Sequence, residues 1–332
     1  MILFRPYIQI PIALLLLIIA SSATAIRVAT DIPPVHSLVA MVTMGVSEPD
    51  LIIQRGASPH SYSLRPSEAA ALENADVIFW IGPELTPWLT DAVINLADGA
   101  QSVELLHELQ NTEATTRLSF REAIHLDDHT AEIVDSHEGH DDHDNHASEK
   151  VDRHDAHDHA SLDPHAWLDP VNARAWLAVI AETLASADPV NASEYTRNAE
   201  AAQQQITTLM DTTAETIKPV HERPYIVFHD AYQYFERRFD LNALGAIALS
   251  DARDPSASHI AAIQSLVIER DVHCVFAEPQ FNPALVDTVL DGTPANTGVL
   301  DPLGSDIPIG PDFYPQLIRS LINGLMECLD PA

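Results

Sequence analysis

The chain has 332 residues, about twice the length of an average domain, so two domains are expected. Hydrophobic residues make up 46% of it, which is enough to build ordinary cores and excludes a wholly disordered chain. Its 17 Lys and Arg stand against 49 Asp and Glu, so the formal net charge is −32. A surface this acidic repels phosphate backbones, which argues against nucleic acid as a partner.

The first 25 residues have the pattern of a cleavable signal peptide. Arg5 precedes an almost wholly apolar run from Pro11 to Ala20, and Ala23-Thr24-Ala25 fits the small-x-small cleavage rule. The run is shorter than the roughly 20 residues that a membrane-spanning helix needs. No cysteine lies near the cleavage site, which argues against a lipid anchor. We therefore expect an exported, soluble mature protein that begins at Ile26.

Short apolar strands and helices alternate in the first half of the mature chain. The pattern predicts strands over residues 26–30, 51–53, 77–81 and 102–105, and helices over residues 37–44, 66–74 and 84–96. Such alternation is typical of βαβ units, whose strands are parallel and buried on both faces.

The middle of the chain is helical, and a second alternating set follows it. Helices are predicted over residues 172–187 and 192–217, with Asp188-Pro189 as the break. A helix of the second length would extend roughly 40 Å, so we interpret it as a rigid spine across both lobes, with a plain linker between independent domains as the alternative. After it, strands are predicted over residues 225–228, 243–248, 272–276 and 297–300, and helices over residues 231–239, 254–269, 283–290 and 313–329.

The predicted fold class is α/β, with two lobes that each contain a parallel sheet flanked by helices. The N-terminal lobe comprises residues 26–124 and ends with residues 161–190; the spine is residues 191–218 and the C-terminal lobe residues 219–332. Residues 125–160 form an insertion. Residues 125–159 hold nine His, twelve Asp or Glu and two basic residues, with no aromatic residue, so they cannot bury a core and are expected to be exposed and mobile.

The two cysteines are Cys274, on a predicted strand, and Cys328, near the end of the last predicted helix. In an oxidising compartment they most simply form one disulfide, which would stabilise the fold by about 4 kcal/mol and attach the helix to its sheet. Two free buried thiols, or a metal site of two cysteines, are the alternatives.

Four possible metal ligands lie where apolar runs give way to loops: His60, His165, His229 and Asp301. Ligands of open parallel sheets bind beyond the carboxyl ends of the strands, so two facing lobes would bring these side chains together. Three imidazoles and one carboxylate make a tetrahedral site that suits Zn²⁺. Asp163, Asp169, Asp230 and Glu278 are near enough in sequence to orient the imidazoles.

Five ordered motifs carry a family resemblance. Residues 56–67 (GASPHSYSLRPS), 163–170 (DPHAWLDP), 227–236 (VFHDAYQYFE), 276–281 (FAEPQF) and 297–304 (TGVLDPLG) resemble those of the ZnuA-type periplasmic zinc-binding protein. The resemblance covers nearly the whole mature chain, including the His-rich insertion and both cysteines. It implies a solute receptor that captures Zn²⁺ in the periplasm, as transported ligand, and delivers it to the permease of an inner-membrane ABC transporter.

Position by position, the resemblance places the three zinc-binding histidines at His60, His165 and His229. Related manganese and iron receptors have a carboxylate at the position of His229, so an imidazole there points to zinc. The fourth ligand of the family varies between a carboxylate and a water. Some members have Glu before the first histidine, but this chain has Pro59 there. Asp301 is therefore our candidate, with water as the alternative.

Histidines of the insertion form a second candidate set, with four of them spaced every three residues: His137, His140, His143, His146, His154, His157 and His159. We expect pairs of these to bind Zn²⁺ weakly, whether to collect zinc, to sense saturation or to accept it from a periplasmic chaperone. The alternative is a solvated tether that binds metal only incidentally.

Three other functions remain as alternatives. A manganese or iron receptor of the same family is disfavoured by His229. A zinc hydrolase is disfavoured because the sequence has no HExxH motif and only Glu278 as a nearby base. Metal storage in the insertion alone leaves the rest of the fold unexplained. We therefore expect a monomeric binding protein that is not an enzyme.

Overall fold

The computed structural model describes residues 25–109, 162–248 and 255–330. Residues 1–24 of the predicted signal peptide and the whole His-rich insertion, with all its candidate ligands, lie outside these residues. None of the helices in the described ranges combines the length and the apolarity that a membrane span would require.

The first half forms a four-stranded parallel sheet with strand order β2-β1-β3-β4. Ala29 and Thr30 of β1 pair with β2, Val28 to Thr30 pair with β3, and all four residues of the buried β3 pair with β4. Its elements are β1 Val28–Thr30, α1 Pro33–Thr43, β2 Asp50–Leu51, α2 Pro66–Asn74, β3 Val77–Trp80, α3 Pro87–Leu96, β4 Gln101–Glu104 and the short α4 Leu105–Glu108.

The second half forms another four-stranded parallel sheet, with strand order β6-β5-β7-β8. The central β5 is buried at every residue, which explains its uninterrupted apolar run. Its elements are β5 Tyr225–His229, α7 Gln233–Phe239, β6 Ala243–Ala248, α8 Ala257–Glu269, β7 Cys274–Ala277, α9 Ala284–Leu290, β8 Asn296–Val299 and α10 Phe313–Leu329. The predicted α/β class with two parallel sheets is confirmed.

Two helices connect the sheets: α5 Pro170–Ala187, after a 3₁₀ turn at Ala166–Leu168, and α6 Ala192–Ile217. The buried side chains of α6 recur every three or four residues from Tyr195 to Ile217. α6 packs against α1, α5 and α10, which come from both halves of the chain. Its role as a rigid spine stays a prediction.

Several helix starts differ from the sequence prediction, and α8, for example, begins at Ala257, three residues after the predicted start, with Ser256 as its cap. α1 begins at Pro33, four residues before the predicted start, and α3 begins at Pro87, three residues after it. In both helices a proline occupies the first turn, where its missing N–H has no intrahelical partner to lose. The prolines therefore mark where these helices begin.

The disulfide is confirmed. Cys274 on β7 is bonded to Cys328 on α10, with their Cα atoms 6.1 Å apart. Neither cysteine is free, so the two alternatives, free thiols and a metal site of two cysteines, are wrong.

Candidate metal centre

Three imidazoles approach one another from three different segments. His60 lies in the loop after β2, His165 directly precedes the 3₁₀ turn, and His229 is the last residue of β5. All three line one cavity between the two sheets. His60 and His165 meet His229 across this cavity, as the sequence predicted. The carboxyl end of β5 opens into the cavity, as expected for a parallel sheet.

His165 is held by the carboxylate two residues before it. Its Nδ1 lies 2.7 Å from Asp163 Oδ1, and its backbone N–H donates to the same oxygen at 3.0 Å. Asp163 is fully buried and His165 is 3% exposed. Because an ionised carboxylate only accepts hydrogen bonds, Nδ1 carries the proton and Nε2 is left to bind a metal ion.

His229 is held in the same way by a carboxylate from the neighbouring strand. Its Nδ1 lies 2.7 Å from Glu278 Oε1, which follows the end of β7. Burial raises the pKa of the Glu278 carboxyl, while the hydrogen bonds from His229 oppose that rise. Tyr232 lies close by, and its pKa is well above the ordinary value because of burial and the charge of Glu278.

The two held imidazoles point their Nε2 atoms at each other, 3.4 Å apart. When both rings are neutral and both Nδ1 atoms donate to carboxylates, two lone pairs face each other. In a tetrahedral zinc site with Zn–N bonds of 2.0–2.1 Å, two nitrogen ligands are about 3.3–3.4 Å apart. The pair is therefore spaced as two ligands of one zinc ion.

His60 is the third imidazole, and its ring centroid lies 5.6 Å from that of His165. Its loop is attached to α3 by a hydrogen bond of 2.7 Å from Trp88 Nε1 to the Pro59 carbonyl. In the described part of the chain, no three His, Cys, Asp or Glu side chains are already grouped so as to hold a metal. Binding by all three imidazoles therefore requires a side-chain adjustment.

Asp301 does not line the cavity, whereas His60, His165 and His229 do. Its Oδ1 accepts hydrogen bonds from Gln280 Nε2 at 2.8 Å and from the Leu303 N–H at 3.0 Å, and its Oδ2 accepts one from the Ser305 N–H at 2.6 Å. These bonds organise the loop after β8. The role of Asp301 as fourth ligand stays a prediction.

The cavity itself is small and has mostly apolar walls. Its volume, measured as the space open to the centre of a water-sized sphere, is about 10 Å³, which is roughly what one water molecule needs. Trp167 packs 5.2 Å from the His165 ring and Phe281 5.5 Å from the His229 ring, measured between centroids. These walls leave room for an ion rather than for an organic substrate.

Four carboxylates were expected to orient imidazoles, and for Asp230 this role stays a prediction. Asp163 and Glu278 do orient them. Asp169 instead accepts from the Val171 N–H as the cap of α5 and pairs with Arg238. Gln233, which donates to Asp163, was missed by sequence reasoning, although it lies within the motif of residues 227–236. A glutamine at the start of a helix carries no signal of its own.

Known proteins that resemble this chain along most of its length indicate one family. A family model described as "Zinc-uptake complex component A periplasmic", ZnuA, matches residues 28–328. The chain is 44% identical over 308 residues to the high-affinity zinc uptake system protein ZnuA of Brucella abortus, with 91% of each chain covered. It is 40% identical over 304 residues to the protein of the same name from Paracoccus denitrificans, again with 91% of each covered.

Solved structures share the fold at low identity. A ZnuA deletion mutant with zinc bound matches with a TM-score of 0.72 and 19% identity, over 93% of this chain and 100% of that one. The periplasmic zinc-binding protein TroA of Treponema pallidum matches with a TM-score of 0.69 and 19% identity, over 92% and 99%. The family match over nearly the whole described chain and the identity to the curated relatives lead to one conclusion: the chain belongs to the ZnuA family.

Proposed function

We propose that this protein is a zinc receptor of the periplasm that binds Zn²⁺ with His60, His165 and His229 and delivers it to the permease of an ABC transporter. Membership of the ZnuA family supports zinc uptake as the activity. The observation that carries the site assignment is the pair of Nε2 atoms 3.4 Å apart, each on a ring whose Nδ1 is held by a buried carboxylate.

The fourth ligand is Asp301 or a water. The carboxylate of Asp301 accepts three hydrogen bonds, two from backbone N–H groups of its own loop and one from the Gln280 side chain. Its two oxygens have about four lone-pair sites in total. One site is therefore left for a metal ion. A water would reach the ion without any change in that loop.

Zinc is favoured over manganese because three imidazoles suit it, whereas carboxylate and water ligands suit the harder Mn²⁺. A hydrolase is disfavoured because the cavity is smaller than the usual site for an organic substrate. We accordingly propose a binding protein without enzymatic activity.

The remaining parts of the proposal concern location and partners. Residues 1–25 act as a cleaved signal peptide, without a lipid anchor, and the mature protein works as a monomer. The histidines of the insertion, His137 to His159, bind zinc weakly and accept it from a periplasmic chaperone or from solution. The sequence patterns support the signal peptide and the weak zinc sites, and the family supports the periplasmic location.

The test is a competitive zinc titration of the metal-stripped chain from Ile26, beside His60→Ala, His165→Ala and His229→Ala. We expect one tight site, weakened at least about 100-fold in each variant, because each loses one of three ligands. His221→Ala is the matched control, since His221 lies on the surface after α6. Tight binding that survives all three cleft substitutions would refute the assignment.

A further inference from the structure

Residues 163–169, which carry His165, are held by side chains and carbonyls from the second half of the chain. We call them the His165 segment. Trp167 donates to the Pro302 carbonyl at 2.9 Å, and Tyr314 donates to the Trp167 carbonyl at 2.8 Å. Both ends are bound by α7: Asp163 by Gln233 and Tyr234, and Asp169 by Arg238. The ligand His165 is therefore positioned from the opposite sheet.

Asp163 connects the ligand to that support through its two carboxylate oxygens. Oδ1 accepts from His165 Nδ1, and Oδ2 accepts from Gln233 Nε2 at 3.0 Å. Asp163 is fully buried, and Gln233 is 9% exposed. A buried carboxylate is stable only when donors satisfy it, so the Gln233 amide contributes to fixing the plane in which the carboxylate lies. The ring of His165 follows that plane.

Gln233 is also close in sequence to the other held ligand. It is the first residue of α7, four residues after His229, which ends β5. One short segment therefore supplies one ligand directly and orients another ligand through Asp163. A shift of this segment would change both imidazoles together.

We propose that Gln233 is a positioning residue for zinc, which sets the orientation of His165 through Asp163 and couples it to His229. The proposal rests on the zinc-binding function proposed above. The amide is essential because it is a donor of the right length: Met would fill the same space without donating, and Glu would place a second carboxylate against Asp163.

Gln233→Met is the test, with Tyr234→Phe as the matched control. The Tyr234 hydroxyl also binds Asp163, but at the main-chain carbonyl, 2.9 Å away, and not at the carboxylate. Zinc affinity is measured by competitive titration of the full mature chain. The proton on His165 Nδ1 is followed by NMR in the zinc-loaded protein, because its resonance reports the hydrogen bond to Asp163.

We expect Gln233→Met to weaken zinc binding about 10-fold or more and to shift the Nδ1–H resonance, as changes behind a metal-bound imidazole do. Tyr234→Phe should leave the resonance in place. In an Asp163→Asn background the effect of Gln233→Met should disappear, because the residue acts through that carboxylate.

The proposal is overturned if Gln233→Met and Tyr234→Phe have equal effects on affinity and neither shifts the resonance, since that is the result of a merely structural contact. It is also overturned if the cost of Gln233→Met persists in Asp163→Asn. A wild-type chain whose tight site does not depend on His165 and His229 would instead refute the proposed function itself.

Discussion

Arg238 of α7 and Asp169, the residue that caps α5, form two parallel hydrogen bonds across the two halves of the molecule. Arg238 Nε lies 2.8 Å from Asp169 Oδ1, and Nη2 lies 2.7 Å from Oδ2. The Asp169 side chain is 4% exposed and that of Arg238 is 24% exposed. A bidentate pair of this kind is among the stronger polar contacts in proteins.

Replacing Arg238 with Met should therefore destabilise the fold by about 1–3 kcal/mol, since the buried carboxylate loses the two hydrogen bonds from the guanidinium. The measurement is urea unfolding of the metal-free protein. Arg237→Met, at the exposed position next along the same helix, is the control and should change the free energy of unfolding by less than about 0.5 kcal/mol. Equal effects of the two substitutions would contradict the prediction.

The disulfide should be a large contribution to stability. Cys274 and Cys328 are 54 residues apart, and closing a loop of that length in the unfolded chain is worth about 4 kcal/mol in the chain-entropy model. We expect Cys274→Ala with Cys328→Ala to lower the unfolding free energy by about 2–4 kcal/mol. Reduction of the wild-type protein should reproduce the loss; if reduction leaves the unfolding curve unchanged, the prediction fails.

Asp31 should make stability fall as pH rises. Its carboxylate is fully buried at the end of β1 and accepts from the Ile32 and Ile81 N–H groups at 2.7 and 2.8 Å. Burial raises its pKa from 3.8 to about 7. The folded protein therefore holds the proton more tightly than the unfolded chain, so stability declines between about pH 4 and pH 7, by up to about 4 kcal/mol.

Asp31→Asn should remove that decline. The measurement is the unfolding free energy of wild type and variant at several pH values, and the difference between the two should change with pH. Asp76→Asn is the control, because the hydrogen bond from Arg27 lowers the pKa of Asp76. Its contribution is present above about pH 4 and is lost as pH falls further. A difference for Asp31→Asn that stays constant from pH 4 to pH 7 would contradict the assignment.

Gly324 should resist substitution although it lies within a helix. α10 passes so close to the end of β8 that a Cβ at Gly324 would lie 2.5 Å from the Val299 carbonyl oxygen. Alanine normally stabilises a helix by about 1 kcal/mol relative to glycine, but here the clash should win, and we expect a net loss of about 1–2 kcal/mol. Gly99→Ala, with open space around the glycine, should not destabilise the protein in the same unfolding assay.

Much of the fold could be predicted because local signals agreed with it. α2, α6 and α10 begin and end at the residues that the sequence predicted. The predicted start of α1 was wrong, because the helix begins at Pro33 and a proline is compatible with the first helical position. The short α4 was missed because four residues carry no periodicity.

The candidate site was only partly predictable. The three histidines could be named because they lie where apolar runs give way to loops. Asp163 and Glu278 could be named because they are near these positions in sequence. The spacing of His165 and His229 depends on how two sheets pack, which no local pattern encodes. The same holds for Gln233, whose partner Asp163 is 70 residues away in sequence. Long-range contacts of this kind need the three-dimensional structure.

The position of the disulfide along the chain determines when it can form. Cys328 follows in sequence every strand of both sheets in the described residues, and Cys274 belongs to the seventh of these. If the chain is exported amino terminus first, the second thiol enters the oxidising compartment only after the segments that build both sheets have entered it. The disulfide can therefore form only when every strand segment of the described residues is already present with it in that compartment.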